Sequence, residues 1–278
     1  MKNRVAVVIV NWNSGPMLYR VVKSVLQTGE VEDIVVVDNA SSDGSLNALT
    51  EITGPVRVIE NDSNLGFARA INQGFNATTL PLVLILNPDI QAKPGAIAGL
   101  TETMEAHSEI GAIGGFVNSN YPPRPFPTLL SLFRENIGLP RLETKISGAQ
   151  AMRVDQSAGA ALMVRRTAFD SVGGFDGQFY PAWYEDVDFC RAISSVGWEI
   201  YFHPGAHFQH SGGYSIETLG FERFLTSYYR NQLRYAQKHL HSRAGLLIKT
   251  GLVIGMLLKM VYRPRMCPIY WRVLSGVL

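Results

Sequence analysis

The sequence predicts an α/β fold: a mostly parallel central sheet flanked by helices, followed by a helical C-terminal extension. Three observations carry this. Within residues 1–116, short β-branched runs alternate with stretches of helical spacing, the pattern of repeated strand–helix units. Those runs are apolar at every position rather than every second one, as in strands covered on both faces. Beyond residue 222 the acids stop: Arg223 to Leu278 holds ten Lys and Arg and no Asp or Glu, whereas residues 1–222 hold 15 basic and 23 acidic side chains, a net of −8. An acidic body with a basic extension points to two different partners.

In chain order, strands are expected at Val5–Val10, Ile34–Val37, Val56–Ile59, Leu82–Leu86 and Ile110–Phe116, with helices at Met17–Leu26, Leu46–Ile52, Ala68–Phe75 and Ala96–Met104. From Val117 to Arg153 the periodicity fades around a Pro-rich stretch, Tyr121 to Pro127, which reads as a loop-rich excursion. A strand over Val154–Val164 carries small residues, Ser157 to Ala161, that admit a ligand or another backbone. The Gly173–Asp176 turn leads to a helix from Trp183 to Val196, a strand at Trp198–Phe202, and a Gly-punctuated loop with His203, His207 and His210. Helical patterns close the chain at Ile216–His241 and Gly245–Tyr262.

At 278 residues, 46% apolar and 17% charged with a net charge of +2, the chain is no disordered segment. Cys190 and Cys267 are its only cysteines, which excludes a disulfide scaffold and points to a reducing compartment. Lys2 and Arg4 lead into an apolar run too short for a signal-peptide core, so a cytosolic start is expected. The motifs G-x-G-x-x-G, G-x-x-x-x-G-K-[ST], H-E-x-x-H, G-x-S-x-G and C-x-x-C do not occur.

What remains is a row of polar strand ends: Asn11-Trp12-Asn13, Asp38-Asn39, Asn61-Asp62 and Asn87-Pro88-Asp89. Ligands of open α/β sheets bind at those carboxyl ends. Ser42 and Asp43 are expected to cap the next helix, while Asp38 is placed to hold a ligand donor such as a base N–H. Asp89 suits a turn and a hard cation bridging phosphates equally well. Asn64-Leu65-Gly66-Phe67 reads as a loop-to-helix junction able to receive a phosphate, with Arg69 one turn inside; alone, such an Arg is more often solvated. Glu185, Asp186 and Asp188 fall in a first helical turn, where acids are favoured by ~0.3–1 kcal/mol on dipole grounds alone. The aromatics just ahead, Phe179, Tyr180, Trp183 and Tyr184, are unusual for an exposed cap and make, with the carboxylates, a surface suited to a sugar. His207 and His210 individually read as structural.

Taken together and in this order, the pieces resemble the inverting family 2 glycosyltransferases of GT-A fold. Six segments over residues 4–235 carry the resemblance: Val10–Asn13, Val36–Ser45, Asn64–Ala68, Leu86–Asp89, Gly173–Asp176 and Tyr184–Asp188. Asn-Trp-Asn, Asn-Pro-Asp and the Ser157–Arg166 segment look most like rhamnosyltransferases of cell-wall and O-antigen assembly. The resemblance implies that Asn11, Asn13 and Asp38 hold the base and ribose, with Asn64, Arg69, Asn87, Trp183 and Glu185 completing the substrate site. Asp89 matches the last acid of the D-x-D motif and His210 a C-terminal histidine that completes a Mg²⁺ or Mn²⁺ site in some members. Asn87 replaces the first acid of that motif. Asp186 matches the catalytic base, and one base suffices for a single displacement. A helix N-terminus lowers a carboxylate's pKa where a base needs a raised one; the neighbouring rings oppose that.

The implied donor is a nucleotide-diphosphate sugar, dTDP-rhamnose first among them, and the acceptor a glycan or polyprenyl-diphosphate-linked saccharide. No nucleic acid is expected as partner, and an oligomer is compatible with the sequence. A sugar nucleotidyltransferase would be expected to carry a Gly-rich loop after its first strand, where this chain reads Asn-Trp-Asn-Ser-Gly; a non-catalytic sugar- or nucleotide-binding protein would need neither Asp89 nor Asp186. The expected domains are 1–235, divided into a nucleotide-binding half (1–116) and an acceptor-binding half (117–235), and a basic amphipathic tail, 236–278. In that tail Lys249 interrupts the apolar run and disfavours spanning at ~2.5–3.5 kcal/mol for a central Lys. A helix packed on the catalytic domain competes with one lying on an anionic leaflet, and the second implies a cytoplasmic protein on the inner face of the plasma membrane.

Overall fold

The computed structural model describes residues 5–210, 219–240 and 244–278. The expectations for Lys2, Arg4, Arg243 and the chain from Ser211 to Thr218 lie outside them. Nine strands are described: β1 (Val5–Asn11), β2 (Asp33–Asp38), β3 (Val56–Glu60), β4 (Leu82–Leu86), β5 (Ile90–Ala92), β6 (Ile110–Phe116), β7 (Met152–Val154), β8 (Ala161–Arg165) and β9 (Glu199–His210). They join in the order β3-β2-β1-β4-β8-β6-β9-β5, with β7 on β9. Strands β1, β2, β3, β4, β6 and β9 run one way; β8, inserted antiparallel between β4 and β6, runs the other, as do β5 and β7 against β9.

β1 is buried at all seven positions, and its alternation divides the core in two. Val5, Val7 and Ile9 pack with Leu18, Val21, Val22 and Val25 of helix α1 (Pro16–Thr28), a stripe at i, i+3, i+4 and i+7. Ala6, Val8 and Val10 face Ala68, Ile71 and Phe75 of α2 (Phe67–Asn76). Gly74 lets α2 approach: a Cβ there would lie 2.3 Å from Val8 Cγ1. Helices α3 (Ala96–Ala106), α4 (Leu129–Asn136), α5 (Arg166–Val172) and α6 (Glu185–Ser195) follow, then α7 (Phe221–His239), α8 (Ala244–Tyr262) and α9 (Cys267–Val277).

Several expectations are corrected. Val154–Val164 is not one strand: β7 ends at Val154 and β8 begins at Ala161. Between them Gln156 is drawn aside, its Nε2 donating to Pro125 O at 2.8 Å and its carbonyl accepting from Arg124 N at 3.3 Å. His203, His207 and His210 lie on β9 rather than in a loop, because pairing with β6 continues past Gly115 through a bulge and β5 then pairs with the strand's end. Ser45–Glu51 is a 3₁₀ helix. The excursion after Val117 contains α4, started by a reciprocal Thr128–Ser131 cap directly after Pro127. α9 has no counterpart among the expected elements, and the boundary drawn at residue 235 falls within α7.

Candidate active site

Strand-end residues and the start of α6 meet at a cavity of about 490 Å³. It is lined by Val10, Trp12, Asn39, Asn64, Asn87 and Asp89, by Ser157 to Ala160, whose Ala160 O accepts from Asn87 N at 3.1 Å, and by Pro181 to Val187, with Glu135, Arg141 and Tyr228.

Asp89 lies three residues past the end of β4 and immediately before β5. Because Ile90 of β5 stands opposite His210 of β9, the sheet register brings Asp89 Oδ2 to 3.2 Å from His210 Nε2. Tyr121 Oη stands 3.4 Å from the same nitrogen. Burial holds the Asp89 carboxyl above its ordinary value, and His210 opposes the shift. Asp89 Oδ1 and Asn87 Oδ1 are buried with no hydrogen-bond partner. Orphaned carboxylate and amide oxygens beside an imidazole are donors that a divalent cation accepts, so these residues fit such an ion. Among the described residues no group of three His, Cys, Asp or Glu is assembled for one.

Just before α6, Trp183 and Tyr184 both take left-handed backbone angles, φ 75° and 72°, which strain non-glycine residues. Asn231 of α7 holds them there, its Nδ2 within 2.9 Å of Ala182 O, 3.0 Å of Trp183 O and 3.4 Å of Tyr180 O. The turn delivers Glu185 and Asp186 into the cavity. Asp186 accepts from Gly159 N and Val187 N, each at 2.8 Å. Burial nevertheless raises its pKa, against those two N–H groups and the Arg124 charge. Desolvation therefore outweighs the helix terminus, which answers the tension left by the sequence. Glu185 is held well above its ordinary value by burial, then by Asp186 and Asp188, and its Oε2 is unpartnered. Asp188 points away, fully engaged by Lys238 Nζ at 2.9 Å and His239 Nε2 at 2.6 Å.

The structure thus brings Asn64, Asn87, Asp89, Trp183, Glu185 and Asp186 to one cavity, with His210 touching Asp89. Four residues expected to contact substrate are placed otherwise. Asn11 is fully buried; its Nδ2 donates to Asp38 Oδ1 at 2.6 Å and Ser45 Oγ at 2.8 Å, and its Oδ1 accepts from Ser14 Oγ. Asp38 spends its oxygens on Asn11, Ser41 N and Ser41 Oγ. Asn13 ties its N to Ser41 Oγ at 2.8 Å and its Oδ1 to Ser42 N at 2.7 Å. These three knot the β1 and β2 loops, and Trp12 lines the cavity beside them; Asn39, itself buried, donates its Nδ2 to Gly66 O at 3.4 Å and accepts from Asn61 Nδ2 at 3.0 Å. Arg69 is exposed on a separate shallow cleft with Gln178 and Arg234. The sequence reading missed Trp12, Arg124 and Asn231. Arg124 lines the cavity with its Nε buried and unpartnered, and its Pro-rich surroundings gave no periodic signal.

A mostly parallel α/β sheet with acids at its strand ends and at a helix start across the cavity is the GT-A arrangement of nucleotide-sugar enzymes. Residues 6–173 match glycosyl transferase family 2, and the chain belongs to that family. It is 27% identical over 241 residues, 77% of this chain and 78% of the relative, to the N-acetylglucosaminyl-diphospho-decaprenol L-rhamnosyltransferase of Mycobacterium tuberculosis. A rhamnosyltransferase of Escherichia coli is 28% identical over 194 residues, 66% of this chain and 72% of that protein. Among solved structures, a mannosyltransferase of Pyrobaculum calidifontis in complex with GDP-Man and Mn²⁺ superposes with a TM-score of 0.64 at 14% identity, covering 98% of this chain and 85% of that one.

Proposed function

We propose that the protein transfers a sugar, rhamnose from dTDP-rhamnose, to a hydroxyl of a glycan or polyprenyl-diphosphate-linked saccharide, with inversion, in assembly of a cell-wall, O-antigen or capsule polysaccharide on the cytoplasmic side of the membrane. The observation that carries this reading is the pair of acidic groups lining one cavity: Asp89 with His210, and Asp186 with its raised pKa. The rhamnosyltransferase relatives support the choice of donor, and the first of them, by its name, acts on a diphospho-decaprenol saccharide.

Asp186 accepts the acceptor hydroxyl proton as that oxygen bonds to the anomeric carbon; the bond from that carbon to the donor diphosphate breaks, and its electron pair leaves with the diphosphate. Gly159 and Val187 N–H groups orient the base. Trp12 offers the nucleotide an aromatic face, and Trp183 offers the sugar a ring. Asp89, His210 and the Asn87 amide oxygen would hold a Mg²⁺ or Mn²⁺ ion, whose chemistry is to offset charge on the departing diphosphate.

The test incubates the full chain with a panel of nucleotide sugars, Mn²⁺ or Mg²⁺, and saccharides with and without a polyprenyl diphosphate, reading free nucleoside diphosphate and product. Release that requires both dTDP-rhamnose and the lipid-linked acceptor is expected. Tight nucleotide-sugar binding without turnover on any acceptor would favour a binding protein instead.

A further inference from the structure

The outward face of α8 has no partner among the described residues and carries no charge. Leu246, Leu247, Ile254, Leu257, Leu258 and Val261 are exposed along it, Leu246 at 75% and Val261 at 77%. The inward face is equally apolar and pressed onto α4. A Cβ on Gly251 would lie 2.8 Å from the Phe133 ring, and one on Gly255 1.8 Å from Asn136 O. The two lysines of the helix leave sideways, Lys249 Nζ donating to Leu278 O at 2.9 Å and Lys259 Nζ to Tyr229 Oη at 3.0 Å. A core helix of this composition would be mostly covered, yet only 28% of the window Gly245–Tyr262 is buried. Trp271 of α9 is 65% exposed, Arg263 and Arg265 are exposed at the end of α8, and no acid follows Glu222.

We propose that this face rests on an anionic membrane leaflet, with α8 lying in the plane of the interface rather than crossing it. The leucine stripe enters the acyl boundary and the arginines meet lipid phosphates. Crossing would require α8 to leave α4, against which Gly251 and Gly255 hold it. Charge selects lipid over a second copy of the chain: two acid-free basic surfaces repel, whereas an anionic leaflet neutralises one. α4 presents Ser131, Leu132 and Glu135 to the cavity, so α4 and α8, together about two helix diameters or ~20 Å, lie between the leaflet and the site. This deepens the membrane-linked acceptor proposed above and rests on that reading only for the acceptor's route.

The test sediments full-length protein with vesicles of phosphatidylcholine alone or mixed with phosphatidylglycerol. Removing α8 would strip Ile248, Leu252 and Met256 from their buried contacts, so the variants alter the outer face: Leu247→Gln with Ile254→Gln and Leu258→Gln, and separately Arg263→Gln with Arg265→Gln. Binding only to anionic vesicles, released by high salt, is expected. The leucine-stripe variant should lose it, and the arginine variant should lose about 25-fold in partitioning, since each of the two Arg near such a surface contributes about fivefold. Nucleoside diphosphate release from dTDP-rhamnose with a detergent-dispersed lipid-linked acceptor, read without vesicles, should be unchanged in both variants; its absence in wild type would count against the transferase reading and leave the membrane result standing. Wild-type protein that stays in the supernatant at low salt overturns the proposal. So does a dimer, in lipid-free solution, that the leucine-stripe variant converts to monomer.

Discussion

Asp186→Asn separates the two things this side chain does. Its oxygens accept from Gly159 N and Val187 N at 2.8 Å each. An Asn oxygen keeps one of these bonds, and its NH₂ turns a donor toward the other N–H, a loss of ~0.5–1.5 kcal/mol. Removing a general base costs ~10²–10⁴ in rate, or about 2.7–5.4 kcal/mol of barrier at ~1.36 per decade. The catalytic loss exceeds the structural one, so kcat should collapse in a protein that still folds and still binds nucleotide sugar. Stopped assays of nucleoside diphosphate release at saturating donor and acceptor measure kcat, and calorimetry measures donor affinity. The pH profile adds a second reading. Wild-type rate should fall with acid through a value above the ordinary 3.8, because burial raises this carboxyl, and that limb should vanish in the variant. A normal kcat in Asp186→Asn, or an acid limb that survives it, would refute the assignment.

Calorimetric titration of nucleoside diphosphate should show Mn²⁺-dependent affinity in the wild type that Asp89→Ala abolishes; equal affinity in all arms removes the metal. Glu185→Gln should change the pH dependence of stability. A folded-state pKa well above 4.5 means the folded protein holds this proton more tightly than the unfolded chain, so stability falls as pH rises through the interval between the two values. Denaturant unfolding at acid and neutral pH should show that fall flattened in the variant, and parallel curves would argue against it. Asn231→Ala leaves the Tyr180, Ala182 and Trp183 carbonyls without their shared donor; a loss of ~1–3 kcal/mol with a drop in kcat is expected, and an unaltered kcat would free the turn from α7.

The first 116 residues were legible because the runs at β1, β2 and β4 are apolar throughout, with Arg57 interrupting β3, and the helices between them carry regular stripes. β1 to β4 and α1 to α3 fall within a few residues of their expected bounds. Legibility failed where long-range pairing overrode local pattern: β9 continues through Pro204 and Gly205 because β6 and β5 pair with it, and apolar Val154–Val164 breaks because Gln156 is bonded to the Pro-rich segment. At the site, the polar strand ends lie around the cavity, while Asn11, Asn13 and Asp38 are taken up by hydrogen bonds within the β1 and β2 loops. Alternation places Asn11 on the inward face with Val7 and Ile9, while Val10 and Trp12 share the face toward the cavity. Asp89 and His210 lie far apart in sequence, and the resemblance, rather than any local signal, joined them.

α7 connects what the sequence separates into body and tail. Asn231 grips the turn that presents Glu185 and Asp186, while Lys238 and His239 grip Asp188 in the same helix α6. In the two residues just before Asn231, Tyr229 meets Lys259 of α8 and Arg230 donates to Gly276 O of α9. The start of α6 and the outer helices are therefore tied to neighbouring residues of one helix, by contacts that do not run through the sheet.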